Sequence, residues 1–299
     1  MPTFLLALLS FPPMAAQFTA TRMGLEAGLT TWDITMLRYG AAAIGSLLVL
    51  CDGRRRAAML AQPGRFLVVG LLGGVAYGAI FIFATGMMPA SHSTLFAPSS
   101  TIICTLLAAG LVLGVWPSAT RLVGVGVIVL GLFVFARAAG APFDIEAAGG
   151  DALFVLIGMM WGLFSVLARK WNLDPLCCVA AMGLTGIPGL LAWYAFAPSG
   201  LGSATQWAAV GEAVFQGWLM TFVAFLAYVT LVHRLGPAKA ALGIATVPPL
   251  GVVFAVLVLG ETAHRGQWIG ALIVVVGFVI SAGLNLSAIK RAVGIPAPR

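Results

Sequence analysis

The chain has 299 residues, of which 8% are charged and 61% hydrophobic, with a mean hydropathy of +1.06. A soluble domain carries roughly 25% charged residues, so water is excluded as the main solvent of this fold. The net charge of +7 does not point to nucleic acid, because the basic residues are scattered through short breaks between apolar runs rather than gathered in a stripe.

Nearly every stretch between polar breaks is long enough to cross a hydrocarbon core of about 30 Å. The runs lack the period-2 alternation of a barrel strand, so each must satisfy its own backbone as a helix. The expected fold is an all-α integral membrane protein. Ten transmembrane helices are predicted, at 3–21, 33–51, 66–87, 90–114, 119–137, 151–170, 175–197, 208–233, 237–259 and 266–288. The first run lacks a basic n-region and further spans follow at once, so it reads as a span and not a removed leader.

Turn signals separate the spans: Met88-Pro89, Trp116-Pro117, Ala197-Pro198-Ser199-Gly200 and Gly236-Pro237. The short Gly86-Met87-Met88-Pro89 connection predicts a tight antiparallel hairpin between spans 3 and 4. With the N-terminus in the cytoplasm, the inner loops hold Arg54, Arg55, Arg56, Arg65, Arg121, Arg169, Lys170, Arg234, Lys239, Lys290, Arg291 and Arg299. The outer side then holds Arg22, Arg137 and Arg265. Twelve against three, read from the same sequence, is a strong positive-inside bias. It predicts a multi-pass protein of the inner (plasma) membrane with both termini cytoplasmic.

The chain also repeats itself. Leu113-Gly114, Gly124 and Gly131 recur at the spacing of Leu259-Gly260, Gly270 and Gly277, and Pro89-Ala90 recurs as Pro237-Ala238. This divides the chain into residues 1–138 and 151–299, two five-helix units joined by a linker at 139–150. An odd number of spans per unit forces the second copy into the membrane inverted, and inverted repeats place a binding site near the midplane between them. The glycines of spans 5 and 10 permit close helix packing and could serve a homodimer contact.

Absences narrow the chemistry. The nine acids (Glu26, Asp33, Asp52, Asp144, Glu146, Asp151, Asp174, Glu212 and Glu261) fall in loops or near span ends. A proton-coupled exporter of cations generally needs a mid-membrane carboxylate, and none is expected here. Nor is there a paired-carboxylate, HExxH or GxSxG signal, which leaves an intramembrane enzyme without a catalytic set. The cysteines Cys51, Cys104, Cys177 and Cys178 form no CxxC and no Cys/His cluster, so neither metal nor cofactor is expected.

What remains is a set of polar and aromatic groups inside the spans. On span 4, His92 shares a face with Phe96, Ser99 and Ser100. Tyr77 and Phe81 are one turn apart on span 3, and Trp161 and Ser165 on span 6. Trp218, Phe222 and Phe225 follow i, i+4, i+7 on span 8 with Tyr228 near that face. Gln17 lies with Pro13 and Thr21 on one face of span 1, where a buried amide needs a partner. Pro98 and Pro248 lie well inside spans 4 and 9, and a mid-helix proline frees carbonyls that must find partners or face a wet cavity. The expected substrate cavity is therefore Gln17, Tyr77, Phe81, His92, Phe96, Ser99, Ser100, Trp161, Ser165, Trp218, Phe222 and Tyr228, with Pro98 and Pro248 as hinges. For several of these groups packing, lipid contact or a bond back to the same helix is an equally good reading. Arg38 would cost roughly 2.5–3.5 kcal/mol at mid-bilayer, but five residues past Asp33 it is expected to snorkel outward in a structural role. Glu261 and Arg265 are expected to pair at a loop.

Gly236-Pro237-Ala238-Lys239-Ala240-Ala241, then Pro248, Leu259-Gly260-Glu261 and Gln267-Trp268-Ile269-Gly270-Ala271-Leu272 resemble the ten-helix EamA-type exporters of the drug/metabolite transporter superfamily. Leu37-Arg38 and Trp161-Gly162 also resemble family positions, and the resemblance spans essentially the whole chain. The first half departs from the pattern: Val115 stands where the LGE carboxylate belongs, Met14 stands opposite Trp161, and Pro98 is displaced relative to Pro248. The resemblance implies a cavity formed mainly by spans 1, 3, 4, 6, 8 and 9, with 5 and 10 outside. The function it implies is export of small neutral or zwitterionic metabolites, amino acids foremost and the aromatic ones among them. Transport of sugar phosphates or nucleotide-linked metabolites is the alternative. The expected partners are a small-molecule substrate and the lipid bilayer.

Overall fold

The computed structural model describes residues 1–87, 90–138, 140, 148–196, 199–202, 204, 206–260 and 262–282, and their side chains except at 85–87, 90–95, 148, 193 and 194. The described residues form helices and no strand. Ten are apolar: α1 (Thr3–Glu26), α2 (Thr31–Leu50), α3 (Pro63–Gly73 continuing as Val75–Met87), α4 (Ala90–Leu113) and α5 (Ala119–Ala138) in the first half. The second half has α6 (Ala148–Lys170), α7 (Pro175–Leu184 and Ile187–Phe196), α8 (Gln206–Leu235), α9 (Pro237–Leu259) and α10 (Arg265–Ser281). Among the described residues nine of these are long and apolar enough to cross a bilayer, while α10 is apolar but has 17 residues. This is an all-α membrane protein.

One connection read as a loop is a helix. Gly53–Ala61 is capped by Asp52, whose carboxylate accepts from the backbone N–H of Arg54 at 2.9 Å, and it carries Arg54, Arg55 and Arg56. An Asp N-cap followed by good helix formers is sufficient for a short surface helix. The Met88-Pro89 hairpin and the Glu261 side of the proposed Glu261–Arg265 pair lie outside the described residues.

Besides α7, which breaks between Leu184 and Ile187, three further helices are interrupted. α3 breaks at Gly74, where a Cβ would meet the Gly70 carbonyl at 2.1 Å, so only glycine fits. The break is supported from neighbouring helices: the Tyr39 hydroxyl of α2 donates to Gly74 O at 2.7 Å, and Thr185 Oγ1 of α7 lies 3.0 Å from Gly70 O. In lipid such side-chain donors replace the water that would solvate a broken turn. α9 tightens to a 3₁₀ turn at Gly243–Thr246, immediately before Pro248 and Pro249, which cannot donate to the turn behind them. α8 widens to π-type turns over Ala213–Ala224, with Thr221 Oγ1 donating to the carbonyl five residues back at 3.0 Å.

The helices pack as α5 on α10, α4 on α6, α1 on α9, α2 on both α7 and α8, and α3 on α6 and α7. The glycines of α5 and α10 face each other within the chain. A Cβ on Gly270 would lie 2.6 Å from the Phe135 backbone nitrogen, and one on Gly277 2.6 Å from that of Ile128. These glycines let two helices of one chain approach closely.

Candidate functional site

Near the middle of the described helices lies a cavity of about 230 Å³. Its lining is drawn from the halves of the helices that lead to the side carrying the α1–α2 turn. α1 supplies Met14, Gln17, Phe18 and Arg22, and α3 supplies Tyr77 and Phe81. α4 adds Pro98 and Thr101, α6 adds Trp161, and α8 adds Met220 and Phe225. The long α9 segment contributes Val247, Pro248, Gly251, Ala255 and Leu259. Phe135 of α5 and Gln267 of α10 close the rim, so these two helices are not wholly outside, while α2 and α7 contribute no lining residue.

The floor is aromatic. Trp161 is 2% exposed and its ring centroid lies 4.7 Å from Phe225, 5.1 Å from Tyr77, and 5.2 Å from both Phe164 and Tyr228. Tyr77 stacks on Phe81 at 6.2 Å, and Phe81 meets Phe18 at 5.6 Å. Offset and tilted contacts at 4.5–7 Å are the favourable aromatic arrangements, so the cluster is a rigid apolar surface. The Trp161 indole nitrogen makes no well-aligned hydrogen bond among the described residues, the Tyr228 hydroxyl being its polar neighbour.

The structure brings Gln17, Tyr77, Phe81, Trp161, Pro98 and Pro248 together around this space. Other candidates lie elsewhere. Ser165 bonds back to Trp161 O at 2.8 Å and approaches the Tyr228 hydroxyl at 3.3 Å, and both are fully buried behind the Trp161 ring. Ser100 donates to Phe154 O of α6 at 2.9 Å and joins two helices. Ser99 is buried without a partner for its hydroxyl, and Phe96 packs half-buried in the neighbouring apolar clusters. Neither lines the cavity. Trp218 points away from the bundle with 46% of its surface exposed, and Phe222 lies against Gly45 of α2. Trp218 and Phe222 still meet at 6.5 Å between ring centroids, but a stripe counted at 3.6 residues per turn shifts when π-type turns take in extra residues, and of the three only Phe225 reaches the cavity. The His92 side chain lies outside the described residues.

Arg38 corrects the sequence reading most. It does not snorkel: it is 2% exposed, with its Nη1 3.4 Å from Gln17 Oε1 and its guanidinium carbon 5.3 Å from the Phe225 ring and 5.5 Å from that of Tyr39. Asp33, expected to draw it outward, is engaged with its own loops. It accepts from Thr30 N at 2.8 Å, Ser199 Oγ at 2.7 Å and Gly200 N at 2.8 Å, so it caps α2 and ties two connections together. Glu212 also lies near a helix end as expected, yet it is 5% exposed, packed beside Gly24 of α1. Gln216, one turn on, donates to Thr21 Oγ1 at 2.9 Å. A polar layer of Arg38, Glu212 and Gln216 thus stands behind Gln17, on the side of α1 next to α2 and α8.

The residues missed by sequence reasoning include Met14 and Phe18. Met14 occupies the position that the internal repeat pairs with Trp161, so the repeat itself carried the signal for it. Phe18 and Gln267 had none.

The EamA-like transporter family matches this chain over residues 1–137 and 148–283. The chain belongs to the EamA-like transporter family. Within the curated proteins it is similar to a probable terminal-alkyne amino-acid exporter from Streptantibioticus cattleyicolor, 27% identical over 277 residues, covering 89% of this chain and 88% of that one. A solved crystal structure shares the fold at a TM-score of 0.73 and 20% identity, over 94% of this chain and 96% of that one. This member of the family is a multi-pass membrane protein of the transporter class.

Proposed function

We propose that the chain exports small neutral or zwitterionic metabolites, amino acids first, with aromatic side chains favoured. The observation that carries this reading is the cavity itself: about 230 Å³, floored by Trp161, Tyr77, Phe81 and Phe225, with Gln17, Thr19, Thr101 and Gln267 as neutral polar contacts, Arg22 held by Glu26 at its edge, and no carboxylate among its described lining. Its size lies below the roughly 300–1,000 Å³ of drug-sized sites, which favours a single small metabolite over a nucleotide-linked one. Rings of this kind offer stacking surfaces to an apolar or aromatic side chain, and few polar groups fix the head. The amino-acid exporter similar to this chain supports the same substrate class.

The two halves, 1–138 and 151–299, act as inverted repeats in this reading. Exchanging each helix with the one five places later turns α4–α6 into α9–α1, α2–α8 into α7–α3 and α3–α6 into α8–α1, and all of these pairs are in contact. Alternating access then consists of one unit rocking on the other about the interrupted helices. With both termini cytoplasmic in the plasma membrane, as the basic loops favour, the observed cavity lies toward the exterior.

The test is efflux from purified proteoliposomes preloaded with labelled phenylalanine, threonine or a sugar phosphate, with and without a pH gradient. Amino-acid release above that of empty liposomes is expected. Release of the sugar phosphate alone refutes this reading and favours the alternative.

A further inference from the structure

Arg38 holds a full positive charge inside the membrane with most of its hydrogen-bonding capacity unused. Its Nε and Nη2 have no partner, and among the described residues no carboxylate lies within ion-pair distance. Removing a guanidinium from water costs several kcal/mol unless hydrogen bonds and an opposite charge compensate, and one 3.4 Å contact with Gln17 plus two aromatic faces compensate only in part. The vacancy has a shape. Nη2 and the Nη1 that Gln17 meets form one edge of the guanidinium plane, an edge that binds both oxygens of a carboxylate in parallel.

The position is as specific as the vacancy. Both groups that separate Arg38 from the cavity, Gln17 and Phe225, are lining residues. Gln17 meets the guanidinium through Nη1, so a rotation of that one side chain frees this atom. A buried guanidinium with unpartnered donors beside a cavity calls for a ligand that carries acceptors. A buried Glu212 with an unpartnered Oε2 lies in the same polar layer.

We propose that Arg38 is the carboxylate anchor of the transport site, and that the substrate is a carboxylate-bearing zwitterion whose acid group takes the place of Gln17 at Nη1 and reaches the unpartnered Nη2 beside it. This rests on the amino-acid reading above for the ammonium group, but not for the carboxylate.

Purified wild type, Arg38→Lys, Arg38→Met and Gln17→Ala are compared by equilibrium binding of labelled phenylalanine and labelled 3-phenylpropionate, with phenylalaninamide and phenethylamine as competitors. Wild type is expected to prefer the acids to the amide and the amine by roughly tenfold or more. Arg38→Lys keeps the charge but loses the fork, and is expected to weaken acid binding about tenfold while preference over the amide collapses. Gln17→Ala removes the side chain that the acid must displace, and is expected to widen the preference for the acids over the amide. It also carries the test if the Arg38 variants fail to accumulate. Equal binding of acid and amide by wild type, loss of the preference in Gln17→Ala, or an unchanged preference in Arg38→Lys overturns the anchor. So does a folded wild type that binds neither acid. Arg38-dependent binding of 3-phenylpropionate without phenylalanine binding or efflux refutes the amino-acid reading alone.

Discussion

Trp161→Ala removes the ring that four other aromatic side chains meet, at centroid distances from 4.7 to 5.2 Å. Truncating a buried Trp to Ala costs about 3–5 kcal/mol. Two features of this site place it at the low end. The ring borders the cavity, so the vacated space joins an existing volume and no sealed void is created. The indole nitrogen makes no well-aligned hydrogen bond among the described residues, so little hydrogen bonding is lost. The expected loss is therefore about 3 kcal/mol. Trp161→Phe keeps a ring on Tyr77 and Phe225 and is expected to lose about 1 kcal/mol. Using about 2–4 °C per kcal/mol for a chain of this size class, the Ala variant should melt roughly 6–12 °C below wild type and the Phe variant roughly 2–4 °C below. Thermal unfolding in detergent micelles, followed by loss of the monodisperse size-exclusion peak, measures both. Equal shifts for Ala and Phe, or no shift for Ala, would falsify the account of Trp161 as the centre of the floor. The same two proteins in liposomes separate packing from binding: the Ala variant is expected to lose affinity for phenylalanine well below its melting temperature.

Tyr39→Phe deletes the hydroxyl that supports the break in α3. Gly74 O keeps its bond from Gly78 N at 2.9 Å, so the loss is expected at the net value of one hydrogen bond, about 0.5–1.5 kcal/mol, in the same melting assay. Gly270→Ala forces a methyl to within 2.6 Å of the Phe135 backbone and is expected to separate α5 from α10 at a cost of about 1–3 kcal/mol; wild-type melting would show that the two helices do not meet there. Trp218→Ala tests the outward orientation of that ring: efflux and melting temperature should both stay within error of wild type, and a loss of substrate affinity would return Trp218 to the cavity.

Much of the membrane architecture was legible before any coordinates, because lipid imposes a severe rule. A run of about 20 apolar residues has no option but to satisfy its backbone as a helix. The predicted spans therefore match the observed helices closely. Asp33 was legible only as an acid near a span end, and nothing local foretells its bonds to Ser199 and Gly200 across the bundle. The cavity was legible where a residue type is hard to explain by packing, as with Gln17, Tyr77 and Trp161. It was misread where the period of the helix changes, as across Ala213–Ala224 in α8.

The sequence by itself determined the solvent of this protein and its helices, since hydrophobicity and spacing act along the chain. Only the tertiary structure decided where Arg38 goes. Its distance from Asp33 allows it to reach outward or to turn inward with equal ease. The choice depends on what Phe225, Tyr39 and Gln17, up to 187 positions away in the chain, offer to a guanidinium when three helices close around it.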